Sequence, residues 1–321
     1  HFLITLPSPA NLEQEEAPAR GGRYSPFFGA LLIVIAVLGL YFGNIRPSQA
    51  SKAIIQGIVP PLEKSIPAFE EAMRISPIAQ FEAPEQFSNK INNSAFDPKI
   101  NKEIIKNGLE LAEKWLKENV AKSPTDFRAQ LLLGRLYNTF YQFSGEKEKI
   151  NLAESALKKA IENSPRNQQG YWSLAQTKFF QGKGSEAIEL LQRAADLNPR
   201  YSQAHWYLVM GYKIAGQNEL AIKEVKEAEK AGFDWKASLE NLKGVIEIYQ
   251  NLQDSGSLVD LYPLAIEKDP KDARLLSGFA VAQANLKNYK EARELAQKAL
   301  DLKPDFASQI EEFLKSLPPT P

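Results

Sequence analysis

Cysteine is absent from the 321 residues, and histidine occurs only at His1 and His205. Disulfides, thiolate nucleophiles and Cys-ligated zinc are therefore excluded, and two imidazoles so far apart do not make a paired-histidine metal site. Net charge is missing as well. The 39 basic and 39 acidic side chains balance, whereas a nucleic-acid binder is usually basic. The segment Gly182-Lys183-Gly184-Ser185 has part of a phosphate-loop composition, but no Ser or Thr follows its lysine and it falls where a turn is expected. Carboxylates such as Glu13, Glu15, Glu16, Glu224, Glu227 and Glu229 lie among lysines or in polar stretches. Apolar surroundings that would raise their pKa are not evident. The sequence thus predicts no metal, no cofactor and no catalytic set, and the chain is not expected to be an enzyme.

What is present begins with an apolar run. Phe27 to Gly43, FFGALLIVIAVLGLYFG, carries no charge, and at 1.5 Å per residue it covers roughly 26 Å, close to the hydrocarbon thickness of a bilayer. A transmembrane helix over 24–46 is expected, with Tyr24 and Tyr41 as interfacial aromatics; a buried core helix is the alternative. Arg20 and Arg23 precede the run and Arg46, Lys52 and Lys64 follow it, a balance that fixes no orientation. The chain opens with histidine rather than methionine, so residues 1–23 read as a remnant or loop. His1 to Leu6 suits either the end of an earlier membrane helix or a tail.

The stretch from Gln168 to Pro199 matches itself when shifted by 34 residues: Leu174 falls on Leu208, Gly182 on Gly216, Ala187 on Ala221 and Ala194 on Ala228. Tyr171, Leu174, Ala175 and Lys178 have helical spacing, as do Ala187, Ile188, Leu191 and Ala194, so each unit reads as two helices joined at Gly182. Ala187 and Ala194 share one helix face, where a small side chain lets the partner helix approach. Asn198-Pro199 closes the unit.

Units of this kind are expected over 123–304. Seven extra residues around Tyr141 to Ile150 are assigned to the connection within the first unit. Gly232-Phe233 stands where a closing proline is expected, so glycine is read as the stop there. The unit over Lys236 to Ile266 is the most degenerate. Residues 47–122 read as divergent hairpins: helix from Ser51 to Met73 broken at Pro60-Pro61 and at Pro67, a loop or irregular region over Ala79 to Asn93, and a long amphipathic helix from Ile100 to Val120. Residues 305–321 supply a capping helix with Ile310, Phe313 and Leu314, ended by Pro318, Pro319 and Pro321.

The period, the Leu-Gly pair at Leu133 and Gly134, the paired alanines and the closing prolines resemble the tetratricopeptide repeat (TPR). That resemblance implies an all-α solenoid of antiparallel hairpins, preceded here by the transmembrane helix. It also implies a concave surface lined by first helices. By correspondence of units, the first contributes Arg128, Leu131, Arg135 and Asn138. The second contributes Gln169, Trp172, Gln176 and Phe179, and the third Gln203, Trp206, Met210 and Lys213. Trp172 and Trp206 are expected side by side, either open to a ligand or packed between repeats; His205 is read as surface or groove lining. Such a surface suits a protein or peptide partner, with a glycan possible and nucleic acid not expected. Where one subfamily grips C-terminal carboxylates with a lysine and an asparagine, this chain has Trp172 and Gln176, so that ligand is not implied.

The junction YFGNIRPSQASKAI, the segment FEEAMRISP and the stretch AESALKKAIENSPRNQQGYWSLAQ also resemble the C-terminal portion of bacterial O-antigen ligase-like membrane proteins. That likeness implies a noncatalytic, membrane-tethered module in a bacterial cell envelope, and no catalytic residue carries over. An independent single-span assembly scaffold is the competing expectation.

Overall fold

The computed structural model describes residues 26–318 and, within them, every side chain but those of Pro26 and Phe306. His1 to Leu6, Glu13, Glu15, Glu16, Arg20, Arg23, Tyr24, Pro319 and Pro321 lie outside the described residues. The fold is all-α. Helix α1 (Pro26–Leu40) passes through one π-helical turn, Tyr41–Ile45, into α2 (Arg46–Ile58) without a break. The helix thus does not stop near residue 46. Pro47 sits at the start of α2, and the π turn absorbs the change in hydrogen-bond register. Residues 27–58 form the one helix, among the described residues, long and apolar enough to cross a membrane, and none of its most apolar window is buried. A core helix buried in this chain is excluded.

Seven antiparallel hairpins follow, each packed on the next. They pair α2 with α3 (Leu62–Ile75), α4 (Ala79–Ser94) with α5 (Lys102–Lys122), and α6 (Phe127–Ser144) with α7 (Lys147–Asn163). Then α8 (Gln168–Phe180) pairs with α9 (Gly184–Leu197), and α10 (Ser202–Ile214) with α11 (Asn218–Lys230). Finally α12 (Leu239–Asn251) pairs with α13 (Ser255–Lys268) and α14 (Ala273–Asn285) with α15 (Tyr289–Leu302), and α16 (Ala307–Ser316) covers the last hairpin through Ile310. Tyr171, Leu174, Ala175 and Lys178 are all buried, as are Ala187, Ile188, Leu191 and Ala194. One unit's two helices bury facing stripes.

Three readings of the sequence are corrected. Pro67 lies inside α3, where Leu62, Ser65, Phe69 and Ala72 form a buried stripe. A proline inside a helix costs about 3 kcal/mol, and burial of that stripe outweighs it. Ala79 to Asn93 is helix, not loop. It also contains a proline, Pro84, but Ala79, Ala83, Phe87 and Ile91 recur every four residues and are buried; this period governs the segment more than its Asn and Gln content does. The seven extra residues of the first regular unit lengthen its helices instead of its connection. Helix α6 has 18 residues and α7 has 17, against 13 and 14 in α8 and α9, while only Gly145 and Glu146 join the longer pair.

Hairpin turns in the regular array need a left-handed residue, supplied by Gly145 (φ 74°), Gly182 (φ 72°) and Gly216 (φ 71°). Gly232 (φ 91°) does stop α11. The leading hairpin ends differently. After α2 the chain turns through Val59, Pro60 and Pro61, and Lys90 of α4 reaches across to donate to the carbonyls of Gly57 (3.2 Å), Ile58 (2.7 Å) and Pro60. A cation at a helix C-terminus satisfies orphan carbonyls and complements the helix dipole.

Candidate functional site

Helix spacing brings the first helices α6, α8 and α10 side by side, and a cleft of about 460 Å³ opens between them. Six sequence-assigned residues line it: Arg135, Gln169, Trp172, Gln176, Phe179 and Met210. Ser173, Ala175, Leu191, Tyr207 and Ile214 complete its lining. Trp172 is its centre. The indole lies 4.7 Å from the Tyr207 ring and stacks on Tyr201 at 5.8 Å and 21°. Its Nε1–H is buried without an acceptor. Arg135 forms no ion pair among the described residues, and its charge lowers the pKa of the Tyr207 hydroxyl, which burial and Tyr201 raise on balance.

The other assigned residues do different work. Asn138 is 1% exposed. Its Nδ2 donates to the Ser173 carbonyl at 3.0 Å and its Oδ1 accepts from Thr177 Oγ1 at 2.8 Å, so it latches α6 to α8. Leu131 is core. Arg128 faces Glu85 at 3.6 Å in a separate cleft between α4 and α6. Lys213 is held by Glu247 of α12 at 2.6 Å, and Gln203 is half-buried at the start of α10.

Trp206 is 5% exposed and stacks on Phe233 at 4.9 Å. The two tryptophans therefore do not form one open surface: Phe233, beyond the glycine that replaces the closing proline, covers the second. At the matching place one repeat earlier stands Pro199, which lays no ring over Trp172, and Trp172 stays half-buried. Tyr207, one residue beyond Trp206, takes the position against Trp172. His205 is neither open surface nor groove. Its ring nitrogens meet Glu224 Oε2 at 2.9 Å and the Pro199 carbonyl at 3.0 Å.

The electrostatics are those of structural ties. Lys178 is buried between Glu154 (3.0 Å) of α7 and Glu186 (2.7 Å) of α9. Burial works against its charge, but the two carboxylates hold its pKa above the usual lysine value. Glu154 is pulled down to about 2, first by Lys158 and then, against burial, by Gln181 and Lys178. Among the described residues every resolved carboxylate shift is downward, the reverse of what a general acid needs. No group of three His, Asp or Glu side chains gathers there to hold a metal. Gly182 and Lys183 lie in the α8–α9 turn and Gly184 and Ser185 open α9, with Lys183 beside Glu186 at 3.7 Å.

A tetratricopeptide-repeat family model matches residues 146–200, 173–234 and 265–305. Among solved structures, PilF of Pseudomonas aeruginosa aligns with a TM-score of 0.52 at 15% identity, over 74% of this chain and 98% of that one. YrrB, described as a TPR protein with an unusual peptide-binding site, aligns with a TM-score of 0.51 at 16% identity, over 63% and 98%. The C-terminal part of a TPR protein of Cytophaga hutchinsonii gives 0.52 at 12%, over 71% and 82%. No curated protein matches the sequence significantly. The family match falls on the repeats, so the O-antigen ligase-like likeness remains with the residues that suggested it. With hairpin geometry, repeat period and family match in agreement, the chain carries tetratricopeptide repeats over residues 146–234 and 265–305.

Proposed function

We propose that the chain is a membrane-tethered scaffold whose concave cleft between α6, α8 and α10 takes an extended peptide of a partner protein. The observation that carries this reading is the aromatic lining of the cleft, where Trp172 is half-buried against Tyr201 and Tyr207 and stands beside Phe179 and Arg135. The apolar side chains of an extended peptide stack on such rings. Arg135 adds a preference for an Asp or Glu nearby, because the guanidinium lines the cleft and forms no ion pair among the described residues. YrrB, alike in fold, is described as having a peptide-binding site. Tethering rests on residues 27–45, apolar and exposed along their length. On this reading the module is noncatalytic, in keeping with either a glycan-ligase parent or an independent assembly factor.

Selection of displayed peptides on the detergent-solubilised chain tests the cleft. Sequences that pair an aromatic residue or proline with an acidic one should be enriched. Trp172→Ala should weaken them by about 30-fold or more, the size of a binding hot spot, with unchanged circular dichroism. Enriched peptides whose affinity is indifferent to both Trp172→Ala and Arg135→Ala would refute the assignment.

A further inference from the structure

The inference concerns the edge of the solenoid where each second helix hands over to the next first helix, and it rests on the tether proposed above. Six of these connections share a proline: Pro77, Pro124, Pro165, Pro199, Pro270 and Pro304. The residue after the proline is Thr125, Arg166, Arg200, Lys271 or Asp305 in five of them, and Ile78 in the first. Three residues further on stand Arg128, Gln169, Gln203, Arg274 and Ser308, but Phe81 in the first. At both places only the leading connection is apolar. Ile78 is 65% exposed and Phe81 41% exposed, and Pro77 beside them is exposed too. Among the described residues nothing covers this patch, which lies at the mouth of the α4–α6 cleft beside Glu82, Glu85 and Arg128.

The hairpin geometry places that connection at a definite height. Helix α2 leaves the apolar run at Arg46 and rises 13 residues, about 20 Å. Helix α3 returns antiparallel over 14 residues, about 21 Å, with the Phe69 ring against Gly57. Its end, and the Pro77-Ile78 connection after it, is therefore level with Arg46, where the membrane helix emerges. The π turn and α2 continue that helix without a flexible joint, so the height is fixed. Lys122, at the returning end of α5, lies at the same level with its Nζ 3.0 Å from Gln80 Oε1. Arg74 near by is paired with Glu71, and Glu82 is exposed in the first turn of α4. Apolar side chains at the headgroup boundary with cations beside them suit a lipid interface.

We infer that Pro77, Ile78 and Phe81 form a second membrane contact, a foot that dips into the lipid interface beside the emerging helix and sets the array's tilt. Because the chain has no cysteine, single-cysteine variants can each carry one environment-sensitive fluorophore. The full chain is reconstituted in phosphatidylcholine–phosphatidylglycerol vesicles with or without nitroxide-labelled lipid. Probes on Leu38→Cys, in the span, and Pro77→Cys, at the foot, should have their emission roughly halved by the nitroxide, while Val59→Cys, at the far end of α2, should not change. Adding Ile78→Ser and Phe81→Ser should restore emission at position 77 and leave position 38 quenched.

Quenching at 38 but not at 77 would refute the foot and leave the tether standing; no quenching at 38 would refute the tether itself. Three other results would also overturn the foot. Quenching at 59 would mean that the array lies flat. Quenching at 77 that survives the serine substitutions would mean proximity without contact. A shielded probe at 77 that no lipid quenches would mean a protein occupant.

Discussion

The leading hairpins, α2 to α5, and the regular array, α6 to α15, are built on one plan with different local chemistry. In the array, first helices start at side-chain caps such as Asp126, Asn167 and Asp272, and hairpins turn at a left-handed residue, which is glycine at Gly145, Gly182 and Gly216. In the leading region α2, α3 and α4 have no side-chain cap, and the first turn is held by a lysine from the next hairpin; Pro67 and Pro84 sit inside helices there, as Pro263 does in α13. Both regions nonetheless bury facing apolar stripes. Stacking therefore depends on the stripe, and the repeat signature reports how the turns are made.

The largest expected effect tests whether the leading region is a true member of the stack. Phe87 is fully buried against Phe69 at 5.6 Å and Trp115 at 5.1 Å. Phe87→Ala should cost about 3–5 kcal/mol. In a stack each hairpin touches mainly its neighbours, so amide-exchange protection should fall in α2 to α5 and persist in α8 to α15. Uniform loss along the chain would mean one cooperative block.

A smaller effect sharpens the account of the turns. Gln253 (φ 56°) and Lys287 (φ 66°) occupy the place of Gly182 and Gly216 without being glycine. Lys287→Gly should stabilise the last unit by about 1 kcal/mol, the cost of a left-handed L-residue, and Gly216→Ala should cost a similar amount. Denaturation midpoints read both. No change in either would mean that the turns carry no strain.

The smallest effect is a pH dependence confined to the array. The His205 ring can donate from both nitrogens, to Glu224 and to the Pro199 carbonyl, only as imidazolium. Burial opposes that charge, but these bonds and the nearby Glu227 raise the pKa above its ordinary 6.5. A raised folded-state pKa gives stability that is complete below the ordinary value and is lost as pH rises through the raised one. His205→Gln should flatten the stability profile above about pH 6.5 and leave it unchanged near pH 5. A profile that keeps its slope in the variant would assign the effect elsewhere.

Much of the array was legible because its signals are local. Gly182, the paired alanines and the closing prolines act on their own turns and helices. The site was half legible: Trp172, Gln176 and Arg135 follow from helical spacing, but Tyr201 and Tyr207 do not follow from repeat correspondence. Trp206 misled because its matching position is covered by Phe233, a residue 27 places further on. A repeat alignment assigns each side chain its face but not what a degenerate neighbour lays over it.

By itself the sequence determined the helical hairpin, its period, the turns and the apolar helix, since these depend on backbone propensities and on which side chains recur at one spacing. Only the tertiary structure decided that α1 runs on into the first hairpin, that Lys90 closes α2, that Asn138 is a latch, and that Trp172 alone of the two tryptophans faces the cleft. The last three join residues about 30 or more places apart. Their energies arise from desolvation and donor–acceptor geometry, which exist only once the helices are stacked.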